Sequence, residues 1–429
     1  MSQPFFHLPV SILKNLGPDG WLLFSSRIIR MFAYGFLSVG LVIYLAQVGL
    51  SETQIGLLLT LTLLGDTLIS LWITTRADRW GRRRMLIIGA VLMAAAGGCF
   101  ALTRDFVLLL IAATIGVISP SGNEVGPFLP IEQASLTQIV SDEKRTKIFA
   151  WYNLIGSLAT AFGALFAGWG VQLAREEGLA QLESYRLVLI AYAAMAIFLG
   201  LIFWRVSPAV EMLAGNQIQA PSQYRKTRFG LHRSKNVVLK LSALFSMDAF
   251  AGGFVMQSIV AYWFHVRFQV SPMLLGSIFF GANILAGFSA LTAAWVASKI
   301  GLIRTMVFTH IPSNILLILV PFMPNLQAAI VVLLLRFSIS QMDVPTRQSY
   351  TMAVVSPDER SAAAGITGIA RTIGASLSPV LTGPLLANAA LLNFPFIIAG
   401  VLKIGYDLLL YRAFRDLRPP EESQQGKSL

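Results

Sequence analysis

Cysteine is almost absent: Cys99 stands alone among 429 residues, so no disulfide can form within the chain and a disulfide-braced secreted scaffold is excluded. Histidine is scarce too, and His7, His232, His265 and His310 are scattered without metal-ligand spacing. Charged residues make up 13% of the chain, against about a quarter in a soluble domain. Acids are the scarcer sign, 21 against 33 Lys and Arg. No Gly-rich phosphate loop of the GxxxxGK type occurs, so nucleotide hydrolysis is not the expected energy source and no cofactor is expected. Apolar residues fill the gap, at 55% with a mean hydropathy of +0.68. A bilayer core takes about 20 apolar residues per helix. Soluble enzymes and nucleic-acid-binding proteins are poor fits to such a chain.

Hydropathy predicts twelve spans, at roughly 20–48, 53–75, 84–103, 106–138, 147–172, 184–204, 236–265, 271–297, 302–323, 326–355, 361–388 and 391–411. With both termini on one face, that face collects 23 of the 33 basic residues, the opposite face 4, and 6 lie inside spans. The positive-inside rule then places both termini in the cytoplasm, and the net charge of +12 reads as topology with no nucleic-acid partner. The start, Met1 to Trp21, has no basic n-region or small-residue cleavage site, so no secretory signal is expected. Phe5 to Leu16 is expected to lie along the inner membrane surface.

The chain divides into a bundle over 1–204, a basic central loop over 205–235, a second bundle over 236–412 and a cytoplasmic tail over 413–429. The halves are related. At an offset of 215, Pro130 to Arg145 align without a gap on Pro345 to Arg360, matching Pro130 with Pro345, Gln133 with Gln348, Ser141 with Ser356 and Arg145 with Arg360. At an offset of 220, Ala77 to Arg84 fall on Ala297 to Arg304. Repeats of this size are a mark of transporter folds.

The loop after span 2, Asp78-Arg79-Trp80-Gly81-Arg82-Arg83-Arg84, resembles the loop signature of the major facilitator superfamily, with Thr74 and Arg76 departing from its usual opening. The resemblance implies an all-α membrane protein of twelve helices in two pseudo-symmetric six-helix bundles. It also implies alternating access to a midplane site, and a latch for the outward-open state formed by Asp78, Arg79, Gly81, Arg82 and Arg83. On physical grounds Asp78 sits where it can accept hydrogen bonds from a neighbouring helix N-terminus.

Charges inside spans are the candidate site, since each costs on the order of 3 kcal/mol at mid-span unless a partner or cavity receives it. Counting 1.5 Å per residue places Arg30 and Asp66 at matching depth, which predicts a pair, with Arg27 one turn lower facing Glu124. Asp248, Arg336 and Arg371 are similarly placed in the second half. Span 4 carries three Pro and two Gly between Ser119 and Pro130, and must break. Asn123 and Glu124 sit at that break, so Glu124 is the first candidate for a proton- or substrate-binding carboxylate. Glu132 and Arg347 occupy equivalent repeat positions with opposite charge and are expected to meet as an inner gate, although Asp343 could take Arg347 locally. Lys403 and Asp407, one turn apart in span 12, read as a structural pair. Tyr34, Tyr262, Trp263 and Phe280 are candidate cavity aromatics.

Together these features predict a monomeric secondary transporter of a bacterial inner membrane, with a small-molecule substrate, protons and the lipid bilayer as its partners. Export of an amphipathic compound is expected, with uptake of a small anion as the alternative and a non-transporting receptor or scramblase-like protein as a remote third.

Overall fold

A computed structural model describes residues 16–140, 142–211, 231–356, 359–415 and 417. Most of the surface helix expected at Phe5 to Leu16, the centre of the basic loop and most of the tail lie outside these residues. The described chain is helical and passes twelve times between two faces. Seven of the passes are single helices, at Pro18–Val48, Glu52–Trp80, Arg82–Leu102, Asp142–Glu176, Gln181–Arg205, Pro272–Ile300 and Phe394–Phe414 (spans 1, 2, 3, 5, 6, 8 and 12). Span 9 is Leu302–Leu319, closed by a short 3-10 turn at Val320–Phe322. The other four are interrupted: span 4 at Phe106–Ile115 and Phe128–Ile139, span 7 at Lys235–Gly253 and Gln257–Phe268, span 10 at Leu326–Ile339 and Asp343–Val354, span 11 at Arg360–Leu377 and Pro379–Leu386.

The interruptions follow from the sequence. In span 4, Gly122 and Gly126 adopt φ of +70° and +82°, a region that only Gly enters without strain, and Pro120 and Pro127 lack amides to continue a helix. Broken backbone inside a membrane must find other partners. Here it does: Tyr192 Oη donates to Val117 O at 2.7 Å, Tyr34 Oη to Val125 O at 3.0 Å, Ser119 Oγ to Asn123 O at 2.7 Å and Ser258 N to Pro120 O at 3.2 Å.

The outer surface of the bundle is studded with exposed Leu, Ile, Phe and Trp, among them Leu68, Ile197, Trp204, Phe288 and Trp295. An exposed apolar girdle around a buried core is how a membrane protein solves the solvation problem.

The two six-helix halves touch mainly toward the face opposite the termini. Span 2 meets span 11 where a Cβ on Gly56 would lie 2.4 Å from Pro379 O, and span 5 meets span 8 where a Cβ on Gly168 would lie 2.3 Å from Pro272 O. Only a missing side chain lets backbones approach so closely. The same device therefore appears twice, a Gly set against a Pro-x-x-x-Gly segment, Pro379 to Gly383 and Pro272 to Gly276. Around it the halves exchange hydrogen bonds: Tyr262 Oη to Glu52 at 2.8 Å, Gln257 Nε2 to Ser38 Oγ at 2.8 Å and Val380 N to Thr60 Oγ1 at 3.0 Å. Toward the terminal face, no hydrogen bond or ion pair joins the halves among the described residues. Among the described residues, the hydrogen bonds that join the halves therefore gather on the far side.

Candidate functional site

In the first half the site is built on spans 1, 4 and 5. Arg30 is fully buried and forks onto two acids: Nε donates to Glu124 at 2.9 Å, and Nη1 and Nη2 each donate to Glu132 at 2.6 Å. Arg27 pairs with Glu124 as expected. Ser26 donates to Glu132 at 2.6 Å and Tyr152 of span 5 closes the same carboxylate. The rings of Tyr152 and Phe128 lie 4.9 Å from the Arg27 and Arg30 guanidinium carbons, adding cation–π attraction. Two acids thus meet two bases, the condition under which buried charge is tolerated.

The pairing expected between Arg30 and Asp66 is not formed. The direction a helix faces decides contact, and Arg30 turns toward span 4. Asp66, 7% exposed, has no basic partner among the described residues; it lies beside the backbone of Gly126 and 3.5 Å from Ser70 Oγ. Asn123 is exposed at the span 4 break, in contact through its backbone with Ser119 and Ser121.

In the second half Asp248 of span 7 is the hub. Lys403 Nζ reaches it at 2.6 Å from span 12, and Arg347 and Arg371 each at 3.3 Å from spans 10 and 11. Arg347 also binds Asp343 at 2.6 Å. The gate expected between Glu132 and Arg347 is absent from this conformation, because each partner is already satisfied inside its own half. Lys403 and Asp407 are not a pair either: Lys403 crosses to span 7, and Asp407 receives His310 at 2.9 Å and Asn314 at 3.2 Å. Arg336 stacks its guanidinium 4.8 Å from the ring of Phe337, has a buried Nε without a partner, and makes no ion pair among the described residues. Of the expected cavity aromatics, Tyr34 and Trp263 are wholly buried, Tyr262 belongs to the far-side closure, and Phe280 packs on Phe162 at 5.2 Å.

The signature loop departs from expectation in one contact. Asp78, half exposed, accepts from Arg82 Nε at 2.8 Å within the loop itself. The N-terminus of span 3 is capped by Glu211, just after span 6, which accepts from Arg82 N at 2.6 Å and Arg83 N at 3.1 Å. Arg82 further donates to Ala134 O and Val210 O. Arg79 is exposed, Arg83 half-buried, and Gly81 has φ of +101°, turning the chain between spans 2 and 3. Glu211 was invisible to motif reading, because nothing in Ser-Pro-Ala-Val-Glu announces a cap for a helix that starts 129 residues earlier. A matching cap closes span 7, where Glu359 accepts from the amides of His232, Arg233 at 2.8 Å and Ser234 at 2.8 Å, and from the His232 ring.

Comparison with known proteins agrees with this frame. The family model described as Major Facilitator Superfamily matches residues 23–379. An uncharacterized membrane protein of Saccharomyces cerevisiae is 33% identical over 422 residues, covering 92% of this chain and 94% of its own length. The quinolone resistance protein NorA of Staphylococcus aureus is 29% identical over 125 residues, 28% of this chain and 31% of NorA. Among solved structures, a mutant form of the nucleoside transporter NupG superposes with a TM-score of 0.74 at 15% identity, covering 92% of this chain and 99% of NupG. That last likeness is one of fold.

Proposed function

The chain belongs to the major facilitator superfamily and is a membrane transporter, not an enzyme; from that premise we propose that it is a proton-coupled carrier, working as a monomer, that exports a small amphipathic compound. Asp66 carries this reading, as a mid-depth carboxylate with no countercharge beside a broken helix. An ion left alone at that depth costs on the order of 3 kcal/mol, so a proton or a cationic cargo group has most to gain there. Glu124, the first candidate from the sequence, is held by Arg27 and Arg30 and serves better as the fixed wall of the site. The sequence match to part of NorA supports export. Asn123, Asp248, Arg336 and Arg371 complete the cargo-facing set. The basic face supports cytoplasmic termini, and on this reading the conformation is inward-open with the latch of Asp78, Arg79, Gly81, Arg82 and Arg83 released. A bacterial inner membrane is the residence taken from the sequence, and a relative matching over most of the chain is a yeast membrane protein.

The test is flux into proteoliposomes of the full chain, with a fluoroquinolone and ethidium as probes, with and without a pH gradient. Asp66→Asn should keep exchange down the probe's own gradient and lose accumulation driven by the pH gradient. Unchanged accumulation removes Asp66 from the proton path. Uptake of a small anion is the second reading, favoured by the unpaired Arg336; labelled mono- and dicarboxylates in the same vesicles decide it.

A further inference from the structure

Spans 9 and 12 enclose a second titratable group away from the spans that face the cavity. His310 Nδ1 lies 2.9 Å from Asp407 Oδ1, and Asn314 Nδ2 donates to Asp407 Oδ2 at 3.2 Å. His310 is 5% exposed and Asp407 fully buried. Ser313 Oγ and Asn314 Oδ1 are buried beside them with no partner among the described residues, so the site is more polar than packing requires.

The charged and titratable groups that surround the pair come from several elements. Span 12 contributes Asp407, Lys403 and Tyr406, whose ring stands edge-on to His310 at 6.1 Å. Span 10 contributes Asp343, Arg347 and Tyr350, span 7 Asp248, and span 11 Arg371 through Asp248. Arg336, earlier in span 10, stacks on Phe337, and the one charge of span 8, Lys299, sits at the helix end over Trp295. Three acids, Asp248, Asp343 and Asp407, face three bases, Arg347, Arg371 and Lys403. The set is neutral with a neutral imidazole and gains one positive charge when the ring is protonated.

We propose that His310 and Asp407 form a second proton-binding site outside the central cavity, and that Lys403 reports its occupancy to Asp248. Lys403 stands one turn before Asp407 on the same helix, within reach of either acid. With the imidazole protonated, Asp407 has a cation of its own and Lys403 is left to Asp248, whose carboxylate it reaches at 2.6 Å. When the ring gives its proton to solvent, Asp407 keeps only neutral donors, and Lys403 becomes the nearest cation able to replace the lost charge. Its departure leaves Asp248 with Arg347 and Arg371 alone, both at 3.3 Å. A proton bound between spans 9 and 12 is thereby felt at Arg371, one-third exposed on span 11. The site stands on its own geometry and does not depend on the role given to Asp66.

The experiment is selective ¹⁵N-histidine labelling of the full chain in nanodiscs. Only four histidines give signals, and His310→Gln assigns the one of interest. The His310 resonance should respond to pH. Its midpoint should fall by about one unit, a tenfold weaker proton affinity, in Asp407→Asn, and rise in Lys403→Met, because an anion and a cation shift it in opposite directions. Lys403→Arg should leave it nearly in place. A His310 ring that keeps one protonation state as pH changes, or a midpoint unmoved by both charge removals, overturns the proposal. Should Asp407→Asn fail to fold, the wild-type titration and Lys403→Met still decide. None of these signals involves cargo, so a negative result leaves the Asp66 flux test standing.

Discussion

The two halves carry matching stretches of sequence, yet they handle buried charge in opposite ways. The first half concentrates it: one fully buried guanidinium, Arg30, ties both Glu124 and Glu132, and spans 1, 4 and 5 supply every member. The second half distributes it, with Asp248 shared among Lys403, Arg347 and Arg371 and the network running through spans 7, 9, 10, 11 and 12. A cluster hung on one residue is rigid and brittle. One with three donors on a single carboxylate can lose or exchange a partner and still be compensated.

Substitution should break that contrast or sharpen it. Arg30→Ala strands Glu132 without a base in a wholly buried position, a loss of about 3–5 kcal/mol; fluorescence-detected size exclusion should show little folded protein. Next come Gly56→Val and Gly168→Val, placed where even a Cβ would meet a carbonyl oxygen at 2.4 and 2.3 Å. These variants should fold, stop cycling and expose the far side, read as faster maleimide labelling of Thr382→Cys than in the parent. Unchanged labelling would mean that the halves close by another surface.

Smaller effects are expected at the caps. Glu359, at the terminal-face end of span 11, is opposed by burial but held well below the usual carboxylate range by the His232 ring, Ser234 and the adjoining amides. A depressed native value contributes stability above the unfolded carboxylate's titration, near pH 4.3, and loses it as pH falls further. Glu359→Gln should therefore cost about 1–2 kcal/mol near neutrality, and its gap from the parent in thermal unfolding should narrow below about pH 4. The mildest change is Arg371→Gln: one-third exposed and only 3.3 Å from an acid with two other bases, it should cost under about 1 kcal/mol. If Arg371→Gln proves as damaging as Arg30→Ala, the second half is not redundant.

Much of this architecture was legible in the chain. Hydropathy located the spans, the Pro and Gly between Ser119 and Pro130 located a real break, and the Arg27–Glu124 pair followed from depth. Partner choice was less legible, for a geometric reason. Sequence distance gives height on a helix, while contact depends on which way the helix faces its neighbours. Hence Arg30 found Glu132 in place of Asp66, and Lys403 passed over Asp407, one turn away, for Asp248 on another span. The interruption of span 10 was missed because Ser340 to Met342 contain neither Pro nor Gly, whereas that of span 7 had a signal in Gly252 and Gly253, where the first helix ends. Glu211 and Glu359 were missed because a cap contributed from distant sequence leaves no local spacing to detect.

The contacts that close the far side include glycine backbones and hydrogen bonds in which at least one partner is neutral, and among the described residues no pair of opposite charges spans them. Dissolved ions weaken attractions between exposed charges, with a screening length of about 8 Å at physiological ionic strength, and have little to act on in a seam of this kind. Brine and fresh water on that side should thus leave the seam equally tight. Ionic strength can enter the cycle only through the arginine-rich opposite face, which gives the two faces different sensitivities to the solutions that bathe them.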